Sequence, residues 1–512
     1  MPKFLTRRDF LRAAGAGAAA VGLFGLQGCG SPSGNRFAAS GRERPNFLFL
    51  FTDDQAFRTV HALNNPDVQT PNLDRLVQRG LTFTHTFNQG SWSPAVCIAS
   101  RAMLNTGRYV WTCGGNDCDD YPLWGQILGE DGYDTFMTGK WHNGERALKR
   151  SFKHIGPHGP GMFPSRDPNA EENRKHGIIK DPYNRPRPGN SWSPSDSTLL
   201  GHWRHVNGKI VHSAQLWADA AIDYLRSRAG KQHEPFFAYV AFHSPHDPRQ
   251  SPQEFLDLYP PEKIRIPPNF LPEHPFDQGD ARIRDELLAP FPRTEEAIRV
   301  HLQEYYALIT FTDYQIGRIL KALEETGEAD NTMIIFSSDQ GLAVGEHGLM
   351  GKQNQYDCAV RMPYVWVGPG IPQGRKIDAL VYLQSAFATT CEMAGVPVPD
   401  TVQFPSLVPL ITGEKQKLYD SIYGAYRNFQ RMVRTEKYKL IRYPQVGEVQ
   451  LFDLENDPWE INNLARQPRY RDVVRRLDSD LAWWMRETED PLTGELKLSI
   501  EWSKSVEAET EW

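Results

Sequence analysis

The stretch Cys97-Ile98-Ala99-Ser100-Arg101 places a lone cysteine at a predicted helix start, with an arginine one turn later. Pro94 precedes the helix, and Gly107 is positioned to end it. A helix N-terminus attracts negative charge through its free N–H groups, and Arg101 at i+4 lies on the same face. An anion beside residue 97 would be held by both features. This cysteine is therefore a candidate for chemical conversion or for nucleophilic catalysis.

Four short apolar runs are each followed by side chains that can ionise or bind a metal. Asp53 and Asp54 follow residues 46–51, Lys140 and His142 follow 134–138, His243 and His246 follow 236–242, and Asp339 and Gln340 follow 333–337. Taken singly, each pattern is also that of a capped turn or a solvated loop. Helical patterns over 212–228 and 296–325 lie between the runs, which predicts an α/β fold with a large, mostly parallel sheet covered by helices. Because sites in such sheets lie beyond the carboxyl ends of the strands, we expect the four runs to converge on one pocket.

The residues that follow two of these runs offer only oxygen ligands. The three carboxylates and one amide carbonyl belong to Asp53, Asp54, Asp339 and Gln340. This set suits a hard divalent cation, Ca²⁺ first and Mg²⁺ second, and not Zn²⁺, which prefers thiolate and imidazole. The ligand charge exceeds that of the ion by only one. The site therefore keeps its attraction for an anionic oxygen when Arg and Lys side chains lie nearby.

The N-terminus has the composition of an export signal. Arg7 and Arg8 precede an Ala/Gly-rich run, so residues 1–28 are similar to a twin-arginine signal peptide, and the run ends at Cys29 in a sequence similar to a lipoprotein processing site. We therefore expect an exported bacterial protein, periplasmic or at the cell surface, with residues 29–44 as a tether and membrane contact only through a lipid on Cys29. Cleavage without lipid, or a basic N-terminal helix, are the alternatives. The net charge of −6 becomes more negative once this segment is removed, which argues against nucleic-acid binding.

Two later segments depart from the α/β pattern. Residues 145–210 are rich in proline and basic side chains, and we predict that they form a rim that binds an anionic substrate, the alternative being a solvated loop. Residues 416–512 contain short alternating strands and then a helical pattern, which predicts a small α+β subdomain with an antiparallel sheet. Residues 45–415 then form the main domain. The spacing of Cys113 and Cys118 permits a disulfide, and two free thiols are equally consistent with it.

The motifs resemble those of the formylglycine-dependent sulfatases, which belong to the alkaline phosphatase-like superfamily. Residues 97–101 match the C-x-[P/A]-x-R element in which the cysteine is oxidised to formylglycine, and Thr106-Gly107-Arg108 follows as in that family. The segments similar to its metal, sulfate and C-terminal segments are "TDDQ", "GKWHNG", "FHSPHDP", "SSDQG", "MGKQNQ" and "LFDLENDPWEINNLA". The chain departs from the family pattern at Ala99, where proline is commoner, at Asn105, where leucine is usual, and at Gln340, where asparagine or histidine is usual.

The resemblance implies a mechanism and a role for each of these residues. The metal ligands would be Asp53, Asp54, Asp339, Gln340 and an oxygen on residue 97, around Ca²⁺. The sulfate would be held by Arg101, Lys140 and Lys352. Cys97, converted by a formylglycine-generating enzyme, would hydrate to a geminal diol that attacks sulfur with Asp339 as base, while His246, assisted by Lys352, protonates the departing alcohol. His142 would then take the proton of the second hydroxyl, so that the aldehyde re-forms and sulfate leaves.

The sequence thus predicts a sulfuric ester hydrolase that acts on a sulfated oligo- or polysaccharide. The basic segment 145–210 favours a carbohydrate over a small aryl sulfate. Two alternatives stay open: a phosphonate or phosphodiester monoester hydrolase of the same fold, and a catalytically idle, surface-tethered glycan-binding protein. His243 and His347 lie near the site segments and are interpreted as structural. The maturation enzyme and the substrate are the predicted partners, and the oligomeric state is left open.

Overall fold

The computed structural model of this chain describes residues 35–39, 43–161, 202–231, 234–289 and 291–495. The predicted export signal, Cys29 and residues 162–201 of the predicted rim lie outside the described residues. Among the helices of the described ranges, none combines the length and the apolar character needed to span a membrane.

Strands and helices alternate through the first four fifths of the chain, and strands dominate after that. The strands are β1 (Asn46–Thr52), β2 (Leu81–Phe87), β3 (Gly90–Ser91), β4 (Asp134–Lys140), β5 (His154–Gly159), β6 (Trp203–Val206), β7 (Lys209–His212), β8 (Phe236–Ala241), β9 (Thr332–Ser338), β10 (Arg361–Met362), β11 (Tyr364–Val367), β12 (Arg375–Tyr382), β13 (Ile422–Tyr426), β14 (Gln430–Arg434), β15 (Tyr438–Tyr443) and β16 (Glu448–Asp453). The helices are α1 (Pro71–Arg79), α2 (Val96–Thr106), α3 (Trp124–Glu130), α4 (Glu145–Ser151), α5 (Ser213–Ser227), α6 (Gln253–Leu256), α7 (Glu295–Glu325), α8 (Asp357–Val360), α9 (Ala386–Ala394), α10 (Val408–Ile411) and α11 (Arg471–Glu487).

A nine-stranded sheet forms the centre of the fold. Its strand order is β10-β2-β11-β9-β1-β8-β4-β5, with β12 paired to β2. The four strands that carry the predicted site residues, β9, β1, β8 and β4, are consecutive in this order, and each neighbouring pair among them is parallel. Their carboxyl ends therefore lie at one edge of the sheet. The predicted fold class, a mostly parallel sheet covered by helices, is confirmed.

β1 is buried on both faces because it is apolar along almost its whole length. All seven residues of the strand are buried. Phe47, Phe49 and Phe51 belong to one apolar cluster, and Leu48 and Leu50 belong to a second. This alternation is the two-residue period of a strand, and apolar residues on both faces are typical of a central parallel strand. The aspartates that follow β1 are therefore mounted on a rigid support.

α2 begins and ends where the sequence predicts. Pro94 stands just ahead of the helix, which starts at Val96. Gly107 ends it in the left-handed conformation, at φ 66°, and its N–H donates to Met103 O at 2.8 Å. Glycine adopts that φ without steric cost, so the helix end is encoded locally. Cys97 consequently lies in the first turn, where backbone N–H groups have no acceptor within the helix.

The start of the segment 145–210 is regular structure, which differs from the sequence prediction. Residues 145–159 form α4 and β5, and β5 pairs in parallel with β4 at the edge of the main sheet. The α/β alternation therefore continues to residue 159. Gly156 and Pro157, which suggest a loop in the sequence, are tolerated because an edge strand has only one neighbour to bond. β6 and β7 pair with each other as a separate antiparallel ribbon.

β13 to β16 form the antiparallel part of a second sheet, as predicted. A fifth strand, β3, joins this sheet in parallel with β13 through Gly90 and Ser91. No pattern in the sequence indicated this pairing. Because β3 lies only a few residues ahead of Cys97, the C-terminal sheet is bonded to the segment that leads into α2.

A buried charged cluster joins the C-terminal sheet to the region that follows β9. Lys439 of β15 is fully buried, and its ammonium group lies 2.5 Å from Asp357 Oδ1 and 2.6 Å from Glu460 Oε1. It also donates to Gln355 O at 3.1 Å. Lys439 therefore pairs with two buried carboxylates, and Arg361 and Arg434, at 3.4 Å and 3.5 Å from Asp357, supply further positive charge.

Removal of this lysine is expected to destabilise the protein strongly. Lys439→Ala leaves Glu460 buried without this cation and Asp357 with only its longer contacts to Arg361 and Arg434, which costs about 3–5 kcal/mol of unfolding free energy. Lys437→Ala is the matched control, because Lys437 pairs with the exposed Glu455 at 2.7 Å, and its melting temperature should equal that of the parent. Thermal unfolding followed by circular dichroism measures both variants. An unchanged melting temperature for Lys439→Ala would contradict the prediction.

Candidate active site

The ends of β1 and β9 bring four oxygen-bearing side chains together. These side chains are Asp53, Asp54, Asp339 and Gln340, and all four are buried. The two strands stay in parallel register up to the pair Thr52 and Ser338. Asp54 N donates to Asp339 Oδ1 at 3.1 Å. Carboxylate oxygens of the three aspartates lie within 4.8 Å of one another, so the predicted set is assembled at the edge of the sheet.

α2 directs Arg101 onto the two strand ends. Arg101 Nη2 lies 2.7 Å from Asp53 Oδ2 and 3.1 Å from Asp339 Oδ2, and only 1 % of the residue is exposed. Its neighbour Ser100 donates to Asp339 O at 2.6 Å. Cys97 lies one turn earlier on the same helix. Helix and sheet are thus joined by a buried ion-pair cluster, and residue 97 lies beside it.

β4 supplies a second cation and a histidine. Lys140 Nζ lies 2.6 Å from Asp53 Oδ2, and both side chains are fully buried. His142 is partly exposed, and its Nδ1 lies 3.1 Å from Cys97 Sγ. An imidazole nitrogen at that distance can exchange a proton with a group on residue 97.

Asp54 is contacted by a lysine and a histidine from two further segments. Lys352 Nζ lies 2.7 Å from Asp54 Oδ1 and 2.8 Å from Asp54 Oδ2. His246 Nε2 lies 3.7 Å from Asp54 Oδ2, and His246 Nδ1 lies 2.8 Å from Asp247 O. Asp54 has a φ of 65°, a left-handed conformation that is strained for most residues other than glycine and is common at functional sites. Every residue that the sequence predicts for catalysis or metal binding therefore lies in this one cluster.

The oxygen set fits a hard divalent cation. Two of its atoms, Asp53 Oδ1 and Gln340 Oε1, are buried and have no hydrogen-bond partner within the described part of the chain. A buried oxygen without a partner costs free energy unless a cation or a water molecule lies beside it. Oxygen ligands are those that Ca²⁺ and Mg²⁺ take, whereas Zn²⁺ favours nitrogen and sulfur.

The charges of the protein groups at the site nearly balance. The cations are Arg101, Lys140 and Lys352, and the carboxylates are Asp53, Asp54 and Asp339. Burial alone would raise the pKa of Asp53, but Lys140 and Arg101 hold it well below its usual range. Burial, together with the charge of Asp53, raises the pKa of Asp339 well above its usual range. A divalent cation would keep Asp339 ionised and would leave an excess of positive charge, which attracts an anionic group.

Cys97 is not arranged as a thiolate nucleophile. The residue is 2 % exposed, and burial raises the pKa of its thiol to about 11 against the lowering effect of Lys140 and Lys352. Such a thiol is protonated at neutral pH and reacts slowly. This environment agrees better with a side chain that is converted to another group than with one that acts as a thiolate.

Two residues that support the site were missed in the sequence. Asn88 Nδ2 donates to Asp339 O at 3.0 Å from the segment between β2 and β3. Gln353 Oε1 accepts from Lys352 N at 3.0 Å, and Gln353 Nε2 donates to Pro94 O at 3.0 Å. Each of them reaches a residue far away in the chain. No local spacing signals such contacts, so only the fold reveals them.

The remaining histidines and cysteines near the site have structural surroundings. His347 stacks on Tyr356 with ring centroids 3.7 Å apart. His243 is buried, and its Nε2 lies 2.7 Å from a backbone carbonyl oxygen. Cys113 and Cys118 are both buried free thiols, so the disulfide that their spacing permits is absent between these two described residues.

The described residues on either side of residues 162–201 contact the two site histidines. Gly161 packs so closely on His142 that a Cβ there would lie 1.9 Å from His142 Nε2. His202 Nε2 lies 3.0 Å from His246 O. Gly161 and His202, the described residues that border this segment, therefore both lie beside the site.

Comparison with known proteins identifies the family. The family model "Sulfatase" matches residues 45–396, and the model "N-sulphoglucosamine sulphohydrolase, C-terminal" matches residues 345–487. A protein named Sulfatase from Formosa agariphila is 30 % identical over 455 residues, which cover 85 % of this chain and 86 % of the relative. The Ulvan-active sulfatase of the same organism is 29 % identical over 458 residues, which cover 86 % of this chain and 80 % of the relative.

Solved structures share the fold. A protein in complex with its substrate D-glucosamine-2-N,6-O-disulfate has a TM-score of 0.68 at 22 % identity, and the match covers 88 % of this chain and 99 % of that one. The phosphonate monoester hydrolase of Silicibacter pomeroyi has a TM-score of 0.67 at 22 % identity, with 88 % and 97 % covered. The family-model match spans most of the chain and includes every residue of the cluster described above. This chain therefore belongs to the sulfatase family and is a sulfuric ester hydrolase.

Proposed function

We propose that this sulfatase hydrolyses sulfate esters of a carbohydrate, with residue 97 converted to formylglycine and Ca²⁺ bound at the carboxyl ends of β1 and β9. The observation that carries the proposal is the buried cluster in which Cys97 lies beside three cations and an oxygen-rich site. The proposed metal ligands are Asp53, Asp54, Asp339, Gln340 and an oxygen on residue 97. Bound there, Ca²⁺ would add fixed positive charge next to the sulfate oxygens.

The cations of the chain would bind and orient the sulfate. Arg101, Lys140 and Lys352 are buried, and ion pairs with Asp53 and Asp54 hold their charged groups in place. Because these charges are fixed before the substrate arrives, they stabilise the charge that grows on the sulfate oxygens without further reorganisation. Uncharged replacements of these residues would lower the rate more than they weaken ground-state binding.

Asp339 and His142 would move protons at residue 97. Formylglycine, once hydrated, supplies two hydroxyl groups there, one for attack on sulfur and one for the release of sulfate. Asp339 is the proposed base for the first. His142 is proposed for the second, because its Nδ1 lies 3.1 Å from the side chain of residue 97. Burial, with Lys140 and Arg101, lowers the pKa of His142 to about 2, so the ring is neutral before the reaction.

His246 would protonate the departing alcohol with help from Lys352. His246 Nδ1 bonds the carbonyl of Asp247 at 2.8 Å, so that this nitrogen carries hydrogen and Nε2 faces the cluster. His246 also lies in the group with Asp53 and Cys97 whose ligand atoms are within 4.8 Å of one another. Burial lowers the pKa of His246, whereas Asp247 and Asp54 raise it, so the acid role requires the imidazolium form, whose Nε2 proton would be within reach of an ester bound at residue 97.

A carbohydrate is favoured as the source of the ester. One relative is named for activity on ulvan, and one structural neighbour is bound to D-glucosamine-2-N,6-O-disulfate. The basic, proline-rich segment 145–210 would add binding groups for a large anionic substrate.

We further propose that residues 1–28 direct export, that Cys29 carries a lipid and that residues 29–44 form a tether. The proposed domains are 45–415 and 416–512, and a formylglycine-generating enzyme would mature the protein.

Rates on matched esters test the proposed function. The matured protein is incubated with 4-nitrophenyl sulfate, 4-nitrophenyl phenylphosphonate and a panel of sulfated mono- and oligosaccharides, and product release is followed by absorbance and mass spectrometry. We expect sulfate esters to react faster than the phosphonate. The phosphonate hydrolase alternative, which the likeness to the Silicibacter pomeroyi enzyme favours, predicts the reverse order. Glycan binding without sulfate release, despite Ca²⁺ and proven conversion, would instead identify an idle binding protein.

A further inference from the structure

A charged cluster next to His246 has no role in the proposed chemistry. Its members are Asp247, Arg284, Asp285 and Gln353, and we call it the leaving-group wall. Arg284 Nη2 lies 3.0 Å from Asp247 Oδ1, Arg284 Nη1 contacts the other oxygen of the same carboxylate, and the guanidinium also contacts Asp285. The Arg284 side chain is 37 % exposed, whereas those of Asp247 and Asp285 are 5 % and 8 % exposed. Two buried carboxylates thus hold a guanidinium that remains accessible from outside.

Both ends of the leaving-group wall touch residues assigned to the departing alcohol. Asp247 Oδ1 lies 3.2 Å from His246 Nδ1. Asp285 Oδ2 accepts from Gln353 Nε2 at 2.7 Å, and Gln353 Oε1 accepts from Lys352 N at 3.0 Å. Since His246 and Lys352 would act on the leaving oxygen, the wall lies on the side of the ester where the alcohol leaves.

A second guanidinium is paired with an aspartate of the loop that carries Arg284. Arg427, just after β13, lies 3.1 Å from Asp280 Oδ2, and its side chain is 35 % exposed. Asp280 is in the same loop as Arg284, where Ile283 N donates to Asp280 O at 3.0 Å. Arg427 N donates to Ser91 O at 2.7 Å, which ties this turn of the C-terminal sheet to the segment ahead of Cys97.

We propose that Arg284 and Arg427 bind hydroxyl groups of the sugar ring that carries the sulfate, and that they thereby select the alcohol. This inference rests on the proposed function. Both guanidinium groups are already paired with aspartates, so a second sulfate or a carboxylate on the substrate would have to compete with those carboxylates. Each sugar hydroxyl group can both donate and accept a hydrogen bond. Two neighbouring hydroxyl groups can therefore accept from the guanidinium N–H groups and donate to the carboxylate oxygens beside them.

The chemistry of such a site makes it selective. A site built to hydrogen-bond a hydroxyl group rejects an alcohol that lacks it, because the buried polar groups of the site are then left without a partner. Here Asp247 and Asp285 stay paired with Arg284, so the difference comes from the hydrogen bonds that the partly exposed guanidinium would make only with an alcohol that carries further hydroxyl groups. The 4-nitrophenyl group has no hydroxyl group besides the ester oxygen, so it would gain no such hydrogen bond from the leaving-group wall. The contribution of the wall is therefore visible as a difference between a sugar ester and an aryl ester.

The ratio of kcat/KM on a sulfated monosaccharide to that on 4-nitrophenyl sulfate tests the inference. The monosaccharide is the one that the parent hydrolyses fastest among mono-sulfated glucosamine, N-acetylglucosamine and galactose. In Arg284→Ala we expect the ratio to fall by about 10- to 100-fold, mainly through KM, because hydrogen bonds to a charged group are lost. Arg284→Lys keeps the positive charge but loses the planar guanidinium with its several N–H donors. Its ratio should lie between those of the alanine variant and the parent. Arg427→Ala should lower the ratio in the same direction.

Arg265→Ala is the matched control. Arg265 Nε lies 3.1 Å and 2.9 Å from the two oxygens of Asp67, on the exposed surface, and its replacement should leave the ratio at the parent value. Equal losses on both esters in Arg284→Ala would show a structural role and overturn the inference. A parent that hydrolyses the aryl ester but none of the sugars would also overturn it, while sulfate ester hydrolysis would stand. A fully converted parent that hydrolyses neither ester would overturn both this inference and the proposed function.

Discussion

Replacement of Cys97 by alanine is expected to lower kcat/KM for sulfate ester hydrolysis by roughly four orders of magnitude or more. Alanine cannot be converted to an aldehyde, so the nucleophilic hydroxyl is lost while Arg101, Lys140 and Lys352 still bind sulfate. The loss should therefore appear in kcat, with little change in the binding of a sulfated ligand. Steady-state kinetics and a binding measurement by calorimetry on the same preparation separate the two effects.

Cys391→Ala is the matched control for that experiment. Cys391 is also a fully buried cysteine on a helix, α9, but lies outside the candidate active site. Its replacement should lower the melting temperature through a small cavity and leave kcat per folded molecule at the parent value. A Cys97→Ala protein that retains more than about one per cent of the parent rate would show that another group supplies the nucleophile.

Removal of divalent ions is expected to lower kcat by at least about 100-fold, because several kcal/mol of transition-state stabilisation disappear with the ion. The melting temperature should fall as well, since an ion that binds only the folded protein stabilises it, and since Asp53 Oδ1 and Gln340 Oε1 lose the partner that the ion would provide. Addition of Ca²⁺ should restore both the rate and the melting temperature. At a Ca²⁺ concentration 100 times the dissociation constant, the free energy of unfolding should rise by about 2.7 kcal/mol. Chelation with elemental analysis, followed by stepwise addition of Ca²⁺, Mg²⁺ or Zn²⁺, measures the response.

Two aspartate variants distinguish a bound ion from a general effect of chelation. Asp339→Asn should abolish the increase of the melting temperature with Ca²⁺. Asp313→Asn alters another buried carboxylate, which accepts from Leu73 N at 2.7 Å at the start of α1, and it should keep the full increase. Metal-free protein that retains the parent rate and melting temperature would contradict the proposed calcium site.

The features that the sequence predicts correctly are those encoded by neighbouring residues. The continuous apolar run of β1 indicates a central strand, and Gly107 indicates the end of α2, because burial and φ preference act locally. The convergence of Asp53 and Asp339 follows from a general rule for parallel sheets, so it needs no knowledge of the individual contacts. The candidate site was therefore accessible to sequence reasoning as a set of residues.

The features that it does not predict depend on contacts between distant parts of the chain. β3 has only two residues, and its pairing with β13 leaves no periodic pattern. β5 contains glycine and proline, which favour a loop in the sequence but are acceptable at the edge of a sheet. Arg284 is one of many arginines, and only the fold brings it to Asp247. Under the proposed role of Arg284, specificity depends on such contacts, and the substrate is therefore the property that the sequence predicts least.

The mass of the peptide that contains residue 97 tests the central claim most directly. The protein is produced together with a formylglycine-generating enzyme, digested and measured by mass spectrometry, with and without an aldehyde-reactive hydroxylamine. We expect an aldehyde in place of the thiol-bearing side chain, a shift with the hydroxylamine, and a specific activity that rises in proportion to the converted fraction. Fully active protein in which residue 97 is still an unmodified cysteine would contradict the claim.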